Sequence, residues 1–132
     1  MNANAKQMVS KLILDFIAAI NARDAKTAET FLAPGFKLTF PGPTEFTAVA
    51  PFLEWASGRY RSAEYSYDDF DLVGTENGVL LVYSSGSLDG ELVNGEKFKG
   101  VRYCDRFRIV NGKILTKETW SDMAEYLRRR SA

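Results

Sequence analysis

The stretch Val101–Trp120, VRYCDRFRIVNGKILTKETW, constrains this chain more than any other because it prescribes a β-hairpin with an acid on its apolar face. Val101, Tyr103, Asp105, Phe107 and Ile109 alternate with Arg102, Cys104, Arg106 and Arg108, the period of a half-buried strand. Asn111-Gly112 follows. That pair favours a type I′ turn, whose two central residues both need φ > 0. Two registers are open. With a two-residue loop throughout, Ile109 faces Ile114, Phe107 faces Thr116, Asp105 faces Glu118 and Tyr103 faces Trp120. One extra residue at the loop sets Asp105 opposite Thr119 instead. The first register brings two carboxylates together between aromatic residues, an arrangement that destabilises a sheet unless a proton, a cation or a ligand compensates.

The remaining chain supplies helices first and strands after. Met8, Leu12, Phe16 and Ile20, widened by Val9, Ile13 and Ile17, predict an amphipathic helix over about Ala5–Asn21. Asp24 can cap a second helix, Ala25–Leu32, which Ala33-Pro34-Gly35 stops. Phe36, Leu38 and Phe40 alternate as a short strand ended by Pro41-Gly42-Pro43. Pro51 suits the first turn of a third helix reaching about Tyr60. Tyr65–Val73 and Val79–Leu88 read as two strands joined by Thr75-Glu76-Asn77-Gly78, and Asp122–Arg130 reads as a closing helix. Helices followed by an antiparallel meander make an α+β fold.

Composition excludes several chemistries. The chain has no histidine and one cysteine in 132 residues, so His-based triads, His metal sites, zinc clusters and an internal disulfide are all ruled out. Neither a metal nor a cofactor is expected. Seventeen basic and seventeen acidic residues cancel, so no net field recruits nucleic acid or an anionic membrane. No apolar run approaches bilayer length and the N-terminus lacks a signal-peptide core, which points to the cytoplasm. Length predicts one domain spanning residues 1–132.

In order and spacing, several segments are similar to the NTF2-like superfamily, nearest its SnoaL-like branch. They are the first helix ending in INARD, the segment FLAPGFKLTFPGP, the helix FLEWASGRY, and DRFRIVNGKI…TWSD near the end. The resemblance implies a cone in which a curved, mainly antiparallel sheet wraps on three N-terminal helices. It further implies a pocket at the wide end and a homodimer formed through the outer sheet face. Ketosteroid isomerases share this layout, but the positions of their tyrosine and their aspartate base fall on Phe16 and Phe40. Only Asp105 matches one of their functional acids. Scytalone dehydratase-like enzymes lean on histidines, and limonene epoxide hydrolase-like enzymes need an Asp-Arg-Asp relay that Val79–Leu88 does not supply. Polyketide-cyclase members of the branch, which need mainly a shaped pocket and an acid, are compatible with this chain.

These readings make Asp105 the expected acid or hydrogen-bond donor and Glu118 the proton acceptor. The ligand would be a small hydrophobic carbonyl or polyketide-like molecule, undergoing isomerisation, dehydration or cyclisation. Tyr103 and Trp120 would flank the acids, Trp55 and Tyr60 would line the mouth, Phe16 and Phe40 the wall, and Tyr83 would add a hydroxyl. Asp122 reads equally as a helix cap or a ligand group. A non-catalytic module that binds a small molecule or a protein is the contrasting expectation, favoured if an arginine such as Arg59 or Arg61 clamps Asp105.

Overall fold

A computed structural model describes residues 3–131. Helices α1 (Ala3–Asn21) and α2 (Ala25–Glu29) lead into strand β1 (Leu32–Phe40) and a short strand β2 (Thr44–Phe46). Helix α3 (Val49–Ser57) follows, then β3 (Tyr60–Glu76), β4 (Val79–Leu92), β5 (Lys97–Val110), β6 (Lys113–Ser121) and helix α4 (Met123–Ser131). The six strands form one sheet in the order β2-β1-β6-β5-β4-β3, antiparallel throughout except for the parallel β1–β6 pair. This is the α+β architecture expected of an NTF2-like cone.

Local chemistry explains most boundaries. Asp24 caps α2 by accepting from Thr27 N at 3.1 Å and from Thr27 Oγ1 at 2.6 Å. The helix is shorter than its pattern predicts because the chain extends from Leu32, so Pro34 and Gly35 lie inside a strand. That strand is irregular there, its register against β6 shifting between Leu32 and Lys37. Helix α3 begins at Val49, whose N–H is accepted by Glu29 Oε1 at 3.2 Å, and Pro51 occupies its first turn. Three-residue β2 is too short to carry a visible alternation. Asn77 and Asn111 both take positive φ ahead of a glycine, as the primed hairpin turns require.

One face of the sheet and the inner faces of α1, α2 and α3 share a core that includes Val9, Ile13, Phe16, Leu38, Val82, Phe107 and Ile114. Met8, counted in the helix stripe above, is 73% exposed, and Val9 and Ile13 take its place in the core. A second apolar cluster, Leu88, Phe98, Val101, Tyr103 and Met123, lies under α4.

Bulges curve the sheet. Register shifts fall between Tyr60 and Ser62, between Tyr67 and Asp69, and between Leu88 and Gly90. Gly86 sits at one bend, and a Cβ there would run into the Ser66 carbonyl of β3 and the Tyr103 hydroxyl. Only glycine lets the two strands approach so closely. Curvature of this kind parts the two apolar clusters and leaves space between them.

Candidate functional site

The hairpin register decides which side chains meet. Near the turn Ile109 pairs with Ile114, but Arg108 pairs with Thr116, so Leu115 is an extra residue on β6. A single extra residue sends every later side chain to the opposite face. Asp105 therefore lies opposite Thr119, and Arg106 lies opposite Glu118. The adjacent carboxylate pair of the tighter register does not form. Glu118 projects from the outer face, where its Oε1 accepts from Arg106 at 2.7 and 2.9 Å and from Arg108 at 3.3 Å. Trp120 follows the same parity, 49% exposed with the Arg106 guanidinium 5.4 Å from its ring. Tyr83, opposite Arg106 on β4, shares that outer face and does not contribute a hydroxyl inside.

The same shift turns Lys117 and Thr119 inward. Ser84, Asp105 and Thr119 then form a row across β4, β5 and β6. Asp105 is fully buried, as its own strand's alternation predicts. Its partner is no arginine. Lys117 Nζ stands 3.5 Å from Asp105 Oδ1, and the two side chains are 3% and 0% exposed. Thr119 joins them: its hydroxyl donates to Asp105 Oδ1 at 2.6 Å and accepts from Lys117 Nζ at 2.7 Å. Among the described residues, Asp105 Oδ2 and Ser84 Oγ have no hydrogen-bonding partner.

Burial pulls the Lys117 ammonium below its ordinary pKa, opposed by the Asp105 charge and by their hydrogen bond. Its Nζ lies 4.9 Å from the Phe40 ring centre, 5.7 Å from Tyr65 and 6.0 Å from Phe107. These ring faces replace part of the hydration that the cation loses. Burial, and then the Asp105 charge, push the Tyr65, Tyr67 and Tyr103 phenols above their ordinary pKa. All three stay protonated at neutral pH.

Above the trio lies a cavity of about 440 Å³ between the two apolar clusters. Phe40, Phe52 and Trp55 form one wall, the first two rings stacked at 4.6 Å. Tyr60 and Phe98, edge to face at 5.9 Å, form another, with Leu88 and Met123. Thr119 and Tyr65 also line it, whereas Lys117 and Asp105 do not. Thr119 is thus the member of the trio that lines the cavity. Among the predicted residues, Phe40, Trp55 and Tyr60 reach the cavity. Phe16 is buried in the core beneath α1. Tyr103 lies under Tyr65 and Tyr67, its hydroxyl donating to the Ser66 carbonyl at 3.3 Å, and does not line the cavity.

Asp122 serves neither as side-chain cap nor as ligand group, since its carboxylate accepts from Arg102 Nε at 2.6 Å. Cys104 has its thiol pKa raised by burial and then by the Asp105 charge, so it is no activated nucleophile. Lys117, Thr119 and Tyr65 are the site residues that the alternation of β6 and the wet look of β3 concealed. The adjacent apolar pair Ile114-Leu115 is the signal of the bulge, because strict alternation would not place both there.

The SnoaL-like domain pattern matches residues 13–116, most of the chain. The chain belongs to that family. Solved structures extend the likeness over the whole length of this SnoaL-like protein. An NTF2-like protein of unknown function from Burkholderia pseudomallei superimposes with a TM-score of 0.73 at 19% identity, covering 95% of this chain and 98% of the other. A candidate polyketide cyclase from Xanthomonas campestris gives 0.72 at 17%, covering 93% and 96%. TerC, co-crystallised with polyporic acid, gives 0.71 at 12%, covering 95% and 99%. At these identities the shared feature is the fold. No curated protein matches the sequence.

Proposed function

We propose that the cavity binds a flat, largely apolar molecule carrying a carbonyl or enol oxygen and that the Thr119–Asp105–Lys117 trio moves a proton on it without a cofactor. The observation that carries this reading is a cavity lined by Thr119, whose hydroxyl is hydrogen-bonded to both members of a buried ion pair. A volume of about 440 Å³ suits a molecule of a few fused rings. The SnoaL-like fold, found also in a candidate polyketide cyclase and in a protein crystallised with polyporic acid, is compatible with such a ligand.

The proton balance is closed within the site. A proton leaves the carbon next to the ligand carbonyl for Thr119 Oγ1 while the Thr119 proton passes along its 2.6 Å hydrogen bond to Asp105 Oδ1. The ligand becomes an enolate, and the protonated phenol of Tyr65 offers its oxygen a donor. The Lys117 ammonium, hydrogen-bonded to Thr119, steadies the relay while the negative charge shifts from Asp105 to the ligand. Reversal returns the proton to the same or another carbon, which gives exchange or isomerisation; attack of the enolate on a second carbonyl of the same molecule gives cyclisation, the new alkoxide taking the proton back from Asp105 through Thr119.

Deuterium exchange tests this reading. With 2-tetralone in D₂O, NMR should show protein-dependent exchange at the carbon next to the carbonyl. Thr119→Val should lower it by about 10² or more and Thr119→Ser should retain it. A second reading, a binding module without catalysis, is favoured by one observation: Asp105 and Lys117 are sealed from the cavity. Tight binding of 2-tetralone with no exchange would establish it and retire the first.

A further inference from the structure

The ionised side chains on the cavity wall are all of one kind. Arg23, Arg59 and Arg61 line it, and no carboxylate does. Arg61 is paired, its Nη1 lying 2.9 Å from Glu91 Oε2. Arg23 and Arg59 face no carboxylate among the described residues. Elsewhere, Arg102, Arg106, Arg108, Arg128 and Arg129 each have an acid within ion-pair distance. Arg130, at the end of α4, has no acid either and donates to the Lys97 carbonyl, so two of the three arginines without an acid among the described residues line one apolar cavity, in a chain whose charges balance overall.

Both are held in place by groups other than carboxylates. Arg23 Nη1 donates to Ser57 Oγ at 2.6 Å, at the C-terminal end of α3. The Arg59 guanidinium carbon stands 4.8 Å from the Trp55 ring centre, a cation–π contact that holds the group without using its N–H donors. Arg23 also has φ of 56°, in the turn after α1 where glycine is the unstrained residue. The cavity is thus polar at both ends, with hydroxyls at the floor, guanidinium groups at the mouth and aromatic walls between.

We propose that the molecule this cavity takes is an acid, with a flat apolar body, an oxygen directed at Tyr65 and a carboxylate held at the mouth by Arg23 and Arg59. Guanidinium and carboxylate match in plane and donor spacing, and desolvation beside Trp55 strengthens the pair relative to open solvent. This deepens the reading above and rests on the cavity being the ligand site.

Calorimetric titration with a matched pair, 2-naphthoic acid and 2-acetylnaphthalene, tests it. In the unaltered protein at low salt the acid should bind more tightly than the ketone by about tenfold, a ratio that shrinks in high salt as the guanidinium groups are screened. Arg23→Gly, which keeps the turn because glycine adopts this φ freely, and Arg59→Gln should each pull the ratio toward one. Equal affinities in the unaltered protein, or a preference surviving in both variants, overturns the acid proposal while the ligand-site reading stands. Binding of neither compound overturns both.

Discussion

Replacing Lys117 with methionine isolates the buried ion pair. Methionine keeps a flexible apolar chain of similar size in the place of the lysine stem, so the packing loss is small. The ammonium is what disappears. Asp105 then keeps the Thr119 donor at 2.6 Å on Oδ1, has no donor on Oδ2, and remains fully buried. Removing one partner of a buried pair costs about 3–5 kcal/mol, a large part of the roughly 5–15 kcal/mol that stabilises a domain. With a urea slope near 2 kcal/mol per molar, the unfolding midpoint should fall by about 2 M. Adding Asp105→Asn removes the stranded charge, and the double variant should recover at least about 2 kcal/mol of the loss. A Lys117→Met loss below about 1 kcal/mol, with no recovery in the double variant, would refute the view that the two charges compensate each other.

Further outcomes follow from the same geometry. Tyr65, Tyr67 and Tyr103 have raised folded-state pKa values, so above pH 10 the unfolded chain releases protons that the folded one keeps. Stability should then fall by about 1.4 kcal/mol per pH unit for each tyrosine, and Tyr67→Phe should flatten the slope by one such share in urea titrations. Lys117 acts in the other sense: its folded-state value lies below 10.5, so its contribution grows as pH rises toward 10.5 and is constant above it. Gly86→Ala should cost more than about 2 kcal/mol in thermal unfolding, because its Cβ meets the Ser66 backbone. Glu118→Gln should leave deuterium exchange on 2-tetralone unchanged, since its carboxylate serves Arg106 and Arg108 on the outer face. Trp55→Ala should weaken 2-tetralone binding by calorimetry, whereas Trp120→Ala should not.

The fold was legible because its signals are local. The alternation of β5 placed Asp105 among Tyr103, Phe107 and Ile109 whatever the hairpin register, and that residue is indeed the most deeply buried acid among the described residues. The Asn-Gly turns and the order of helices and strands needed nothing beyond near neighbours. The far side of the hairpin was different. Its facing depends on the bulge at Leu115, which adjusts β6 to its neighbours and flips Lys117, Thr119, Glu118 and Trp120 together. Lysine and threonine also read as surface residues on β6, since charged side chains are rarely buried unless paired, and the pairing is visible only across strands. The mouth is less legible still. Arg23, Arg59 and Arg61 come from the end of α1 and the start of β3, and only the bend of the sheet sets them around one opening.

The central claim is that a ligand carbon next to a carbonyl meets the Thr119 end of the buried relay, and a crystal structure of the protein with bound 2-tetralone tests it most directly. The account predicts the ring system between Phe40, Trp55 and Tyr60, with its oxygen within about 3 Å of the Tyr65 hydroxyl and the neighbouring carbon against Thr119 Oγ1. A ligand bound on the outer face, or seated in the cavity with its oxygen turned away from Tyr65, would contradict it.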